Sequence, residues 1–162
     1  MWFGHIFMSV LFWIFAQRTL NLPMLLIGGI FPNVDSIPCH LGIADRNFHR
    51  GVIHTPLFLF LISLPLYFFD LNIWLSFLSG GLMHLIGDVG CDSGIMFLYP
   101  FNKKRFTLSM WYNTGIDSEI YRGLINDMIG YYSQEVPKII ELLMALIISF
   151  FLLLQTFSYF LR

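Results

Sequence analysis

The chain has 162 residues, 57% hydrophobic and only 12% charged, with a mean hydropathy of +0.71 and a formal net charge of −1. A soluble domain carries about 25% charged residues, so this composition excludes a water-soluble globular fold, and the near-zero charge excludes direct nucleic-acid binding. Two cysteines, Cys39 and Cys91, exclude a disulfide framework but not one isolated bridge.

The apolar residues come in continuous blocks without alternation, which points to helices crossing a lipid bilayer and away from a closed barrel. Met1 to Ala16 reads as a first helix, interrupted by Gly4, His5 and Ser9. No basic residue precedes it and no small-residue cleavage site follows, so it is expected to be a retained helix and not a cleaved signal. Gln17 to Asn21 is a polar turn, and Leu22 to Phe31 a second apolar run containing Pro23 and Gly28-Gly29. At about 1.5 Å per residue this run is too short for a core about 30 Å thick. It is expected to be a short helix that borrows flanking residues, or a re-entrant half-span.

Residues 32–53 read as a polar loop punctuated by Pro and Gly. The helix expected over 54–69 has Pro56 in its first turn and Pro65 as a kink. A turn at Asp70-Leu71-Asn72 leads to a span over 73–89, where Gly80-Gly81 and Gly87 allow close helix contact. Residues 90–136 are mostly polar and include Lys103-Lys104-Arg105. Within them Ile116, Ile120, Leu124, Ile125, Met128 and Ile129 recur at helical spacing, so an interfacial amphipathic helix is expected over about 117–132, capped by Asp117 or Ser118. Residues 138–161 form the strongest span. The expected fold is all-α: a single polytopic membrane domain over 1–162, with about four full spans, a short or re-entrant second helix and an interfacial helix.

This threading puts the N-terminus, the 32–53 loop and the 90–136 segment on one face of the bilayer. Arg46, Arg50, Lys103, Lys104, Arg105, Arg122 and Lys138 fall on that face, and Arg18 and Arg162 on the other. Basic residues favour the cytoplasmic side, so the N-terminus and the first face are expected in the cytoplasm.

The same face collects His5, Asp35, His49, His54, His84 and Asp88. His84 and Asp88 are four residues apart, hence one turn apart on one helix face. Two such groups in an apolar helix need a partner; a metal ion serves, and so does a His–Asp hydrogen bond between helices. Six His and Asp groups suffice for one divalent ion or a close pair, with zinc, manganese or iron suited to this mixture more than magnesium. Asp88 and His84 are then the first candidates for the chemistry, and Arg50 is either a bidentate clamp for a phosphate or a positive-inside anchor. His40, Asp92, Cys39 and Cys91 read as loop or buried residues, although Asp92 is one candidate for a general base.

Four motifs occur in order: Gly28-Gly29-Ile30-Phe31-Pro32-Asn33-Val34-Asp35, His49-Arg50-Gly51-Val52-Ile53-His54-Thr55, His84-x-x-x-Asp88, and Phe97-Leu98-Tyr99-Pro100-Phe101. Together they resemble the YdjM-like family of membrane-bound, metal-dependent hydrolases, also described as LexA-binding and inner-membrane-associated. The resemblance covers about residues 1–105. It implies His5, Asp35, His49, His54, His84 and Asp88 as metal residues and hydrolysis as the activity. Asn33 stands where the family has the first acid of Pro-Asp-x-Asp, Gly4 replaces Thr before His5, Ile53 replaces Thr, and Pro56 stands where Ser is common.

Two functions follow. One is a metal-dependent hydrolase acting at the membrane surface on a lipid or phosphoester. The other is a non-enzymatic membrane protein whose polar cluster is structural and whose 103–132 region docks a soluble regulator.

Overall fold

A computed structural model describes residues 3–44, 48–110 and 124–160. Helices α1 (Gly4–Phe15), α2 (Leu22–Ile30) and α3 (Ser36–His40) come first, with a 3-10 turn over Phe31–Asp35 joining the last two. After a second 3-10 turn, Val52–His54, follow α4 (Pro56–Tyr67), α5 (Leu71–Val89), α6 (Leu124–Tyr132) and α7 (Glu135–Phe160). Residues 117–123, with Asp117 and Ser118 as expected caps, lie outside the described residues, as does Arg46.

Local chemistry fixes several helix starts. Asn21 accepts the N–H of Met24 at 3.0 Å to cap α2, Thr55 Oγ1 accepts that of Phe58 at 3.2 Å to cap α4, and Asp70 accepts that of Ile73 at 2.8 Å to cap α5. Each side chain satisfies a backbone donor that the helix itself leaves open.

The loop expected from residue 32 begins later in the structure. Pro32 enters a 3-10 turn at its start, where a missing N–H costs nothing, and the chain stays helical through His40. The apolar run from Leu22 therefore does not stop short at Phe31. Leu22–His40 forms one 19-residue helical stretch of mean hydropathy 1.3.

Among the described residues two helices, not four, are long and apolar enough to cross a membrane: Leu22–His40 and Glu135–Tyr159. Gly4–Phe15 and Pro56–Tyr67 are apolar but 12 residues each, so each covers about 18 Å. α7 keeps little of its apolar surface against the protein. Leu142, Leu146, Phe150, Leu153 and Phe157 are all more than half exposed, the pattern of a helix whose surroundings are themselves apolar.

The centre of the fold is the crossing of α2 and α5. A Cβ on Gly28 would overlap the carbonyl of Phe77, and one on Gly80 would overlap that of Leu25. The two backbones touch, and only hydrogen fits between them. A small cluster of Leu59, Leu85 and Ile95 packs beside this crossing, flanked by Phe31, Leu78 and Val89. α1 lies against both helices, so the C-terminal end of α5 faces the start of α1 and the end of α2. The candidate residues gather at that end.

Candidate metal centre

His84 and Asp88 both project from the buried face of α5, which also carries Gly80, Gly81 and Gly87. His84 Nδ1 lies 2.7 Å from the carbonyl of Gly29. A carbonyl only accepts, so Nδ1 carries the proton and Nε2 presents a lone pair when the ring is neutral. The close α2–α5 contact thus sets the His84 tautomer.

His49 and His54 come from the turn between α3 and α4, and Asp35 holds both. Its Oδ1 lies 2.6 Å from His49 Nδ1, and its Oδ2 lies 3.0 Å from His54 Nδ1 and accepts the Arg50 backbone N–H at 3.0 Å. Arg50 takes a left-handed backbone conformation, φ 63°, unusual for a residue with a side chain. That reversal lets the residues on either side of it reach the same carboxylate. With Nδ1 of His54 turned to Asp35, its Nε2 faces away, toward α5.

Three atoms then converge. His54 Nε2 is 3.3 Å from His84 Nε2, and each is 3.3 Å from Asp88 Oδ2. Asp88 Oδ2 is buried without a hydrogen-bond partner. Two lone pairs and a carboxylate oxygen facing one another in a dry site repel unless a cation lies among them. The edges of a tetrahedron around zinc, with ligands at about 2.0–2.1 Å, are about 3.3–3.4 Å long. The spacing and the donor set fit such an ion.

His5, in the first turn of α1, stands beside this trio. Its Nε2 is 3.6 Å from Asp88 Oδ1, and its ring stacks on that of His84 with centroids 3.7 Å apart. His5, His84 and Asp88 form one group able to hold a metal ion; Asp35, His49 and His54 form a second, sharing the His54 ring with the first site. All six expected residues therefore meet in one place, and all but the partly exposed His49 are buried.

Arg50 closes the other side. Its Nη2 lies 3.3 Å from Asp88 Oδ1 and its Nη1 bonds the Ser93 hydroxyl. Burial works against its charge, but Asp88, Cys91 and Asp92 together outweigh that and raise its pKa further. In the same turn, burial pushes His49 below the ordinary histidine value despite its bond to Asp35. Burial also opposes charge on His54, but its bond to Asp35 and the nearby Asp88 carboxylate prevail and hold it above that value. His54 therefore competes for a proton wherever it competes for a metal.

Asn33 belongs to neither group; its carbonyl accepts from Ser36 Oγ at 2.7 Å. Cys39 and Cys91 are buried free thiols. Asp92 is near enough to Arg50 to raise its pKa. The sequence did not single out the Gly29 carbonyl or Ser93. Gly87, expected at a close helix contact, makes one with α1: a Cβ there would sit 2.9 Å from His5 Nδ1, so a glycine one residue before Asp88 is what admits the α1 histidine.

The family model described as YdjM inner membrane protein matches residues 1–159. No curated protein and no solved structure matches the chain. The chain belongs to the YdjM inner membrane protein family.

Proposed function

We propose that this member of the YdjM family is a membrane-bound, metal-dependent hydrolase whose ion is held by His54, His84, Asp88 and His5. The observation that carries this reading is the trio of His54 Nε2, His84 Nε2 and Asp88 Oδ2 at mutual distances of 3.3 Å. A bound zinc, manganese or iron ion supplies a Lewis acid and lowers the pKa of a water toward neutrality. Asp35 orients His54 and His49 as a carboxylate behind a metal-binding histidine does, since both of its oxygens already receive N–H groups. Arg50 fixes the Asp88 carboxylate through Oδ1 and brings positive charge to the site's edge. A developing negative charge on a scissile group is stabilised there.

The basic residues near the site, Arg50 and Lys103 to Arg105, support a cytoplasmic placement. The substrate then arrives from the cytoplasm or from the inner leaflet.

Elemental analysis of the detergent-purified chain, with His84→Ala alongside, tests the proposal. The expected result is about one equivalent of a transition metal, lost in the variant, together with metal-dependent release of phosphate or alcohol from simple phosphoesters. About two equivalents would mean that Asp35, His49 and His54 hold a second ion. No metal after reconstitution would overturn the proposal and leave the cluster as a structural core or docking platform.

A further inference from the structure

The stretch after α5 folds back on the site. Ile95 and Phe106 exchange both backbone hydrogen bonds, at 3.0 and 2.8 Å, and the N–H groups of Leu108 and Met110 reach the carbonyls of Val89 and Gly90, each at 2.8 Å. Gly94 makes the reversal with φ 55°, and a Cβ there would press on the Phe106 carbonyl, so the turn requires glycine.

This return carries Arg105 to Ser93. Arg105 Nη1 donates to the Ser93 carbonyl at 3.3 Å, while Arg50 Nη1 donates to the Ser93 hydroxyl. Two guanidinium groups thus meet at one serine. Lys103 and Lys104 are exposed, whereas Arg105 is partly buried. Arg50 has Asp88 as its counter-ion; among the described residues Arg105 has no ion pair, and burial and the Arg50 charge both work against its own. Bringing like charges together in a partly desolvated place is unfavourable unless an anion joins them.

We propose that Arg50 and Arg105, joined at Ser93, form an anion subsite for a phosphoryl group beside the metal centre. This rests on the hydrolase reading and narrows its substrate class to phosphoesters. Two guanidinium forks offer planar arrays of donors that match phosphate oxygens in pairs. Near neutral pH a phosphomonoester carries a charge of about −1.5 to −2 and several acceptor oxygens, enough to balance Arg105 and also to engage Arg50 beside its Asp88 partner, whereas a carboxylate has oxygens for one fork. Arg50 touches both the subsite and Asp88, so a phosphoryl group seated there lies next to the ion-binding atoms.

Isothermal titration of the full chain in detergent with inorganic phosphate, in zinc-loaded and zinc-free samples, tests this. Arg105→Gln is expected to weaken phosphate binding by at least about tenfold, the loss of a charge-assisted donor pair. Zinc content should stay unchanged, and Lys104→Gln should bind as the wild type does. Arg105→Lys is expected to recover only part of the affinity, since a lysine lacks the fork. Equal affinity in Arg105→Gln and wild type would overturn the subsite, as would acetate displacing phosphate at equal concentration. Phosphate binding that depends on Arg105 in a protein that takes up no zinc would overturn the metal reading and keep the subsite. Competition by short-chain phosphatidic acid, compared with phosphatidylcholine, separates the two sources: displacement by phosphatidic acid alone indicates a lipid phosphate, and displacement by neither a soluble phosphoester. Both outcomes retain the subsite.

Discussion

Two buried polar clusters lie at the ends of the apolar helices, and they solve the same problem in opposite ways. In one, Glu141 of α7 is 95% buried by its 5% exposure, yet the chain satisfies it fully. Its Oε1 accepts the Gly4 N–H at 2.9 Å and the Tyr131 hydroxyl at 3.0 Å, and its Oε2 accepts the Tyr132 hydroxyl at 2.8 Å. Burial and the Glu141 charge raise the pKa of both tyrosines, so they remain donors. In the other, His54, His84 and Asp88 turn acceptors toward one another. A carboxylate surrounded by donors is a fastener. A carboxylate facing lone pairs is a place for a cation.

The fastener also serves the site. Gly4 precedes His5, so Glu141 ties the first turn of α1 to α7 and sets where the His5 ring enters. The C-terminal helix, which has no metal ligand of its own among the described residues, thereby helps to build the centre.

Asp88→Ala should give the largest effect. It removes an ion-binding oxygen and strips Arg50 of its buried counter-charge, which costs about 3 kcal/mol or more. Metal content should fall to background, and adding a chelator should lower the melting temperature of the wild type but not of the variant. A variant that keeps its metal would end the distinction between the two clusters.

Glu141→Ala comes next. It removes the shared acceptor of three donors, at about 1–3 kcal/mol for a buried donor that finds no other partner. Thermal unfolding should show a clear loss of stability, while the variant should still bind metal, more weakly, because His5 is no longer anchored. Loss of metal stoichiometry without loss of stability would show that Glu141 is not a fastener.

Asp35→Asn tests the same contrast inside the site. If Asp35 orients His54, the variant should retain metal stoichiometry with affinity reduced about 10–100-fold. If Asp35 is itself a ligand to a second ion, one equivalent should disappear instead. A competition titration with a zinc indicator reads both.

Much of this was legible in the residues. The four-residue spacing of His84 and Asp88 on an apolar helix, and the histidines around Arg50-Gly51, point to one locus. What spacing does not carry is which way a ring turns. Asp35 reads as another acid in a ligand set, and only its position between two Nδ1 atoms distinguishes an orienting carboxylate from a ligand. Pro32 and Asp35 look like loop residues because proline and aspartate usually mark turns, but a 3-10 turn accepts both and carries the helix on to His40. Glu141 carries no sequence signal beyond its place near the start of the last apolar run, and its partners Gly4, Tyr131 and Tyr132 are distant or unremarkable in sequence. Arg105 was hidden in a basic run, where only the fold separates it from its two lysine neighbours.

The smallest expected effect isolates His5 from everything else. A Cβ on Gly87 would lie 2.9 Å from His5 Nδ1, 3.0 Å from its Cε1 and 3.2 Å from Met8 Sδ. Met8 can swing aside, but the His5 ring is stacked on His84 and has less freedom to retreat. The helix itself gains from Gly87→Ala, by about 1 kcal/mol of propensity, which offsets part of the about 1–3 kcal/mol cost of the overlap, so the fold should lose little stability. Metal affinity should nevertheless fall by roughly tenfold, the cost of moving one ligand out of line at about 1.4 kcal/mol. Both clusters would then be intact while the site alone is weakened. Unchanged affinity in this variant would remove His5 from the ligand set and leave three protein ligands, His54, His84 and Asp88, with a fourth position open to water or substrate.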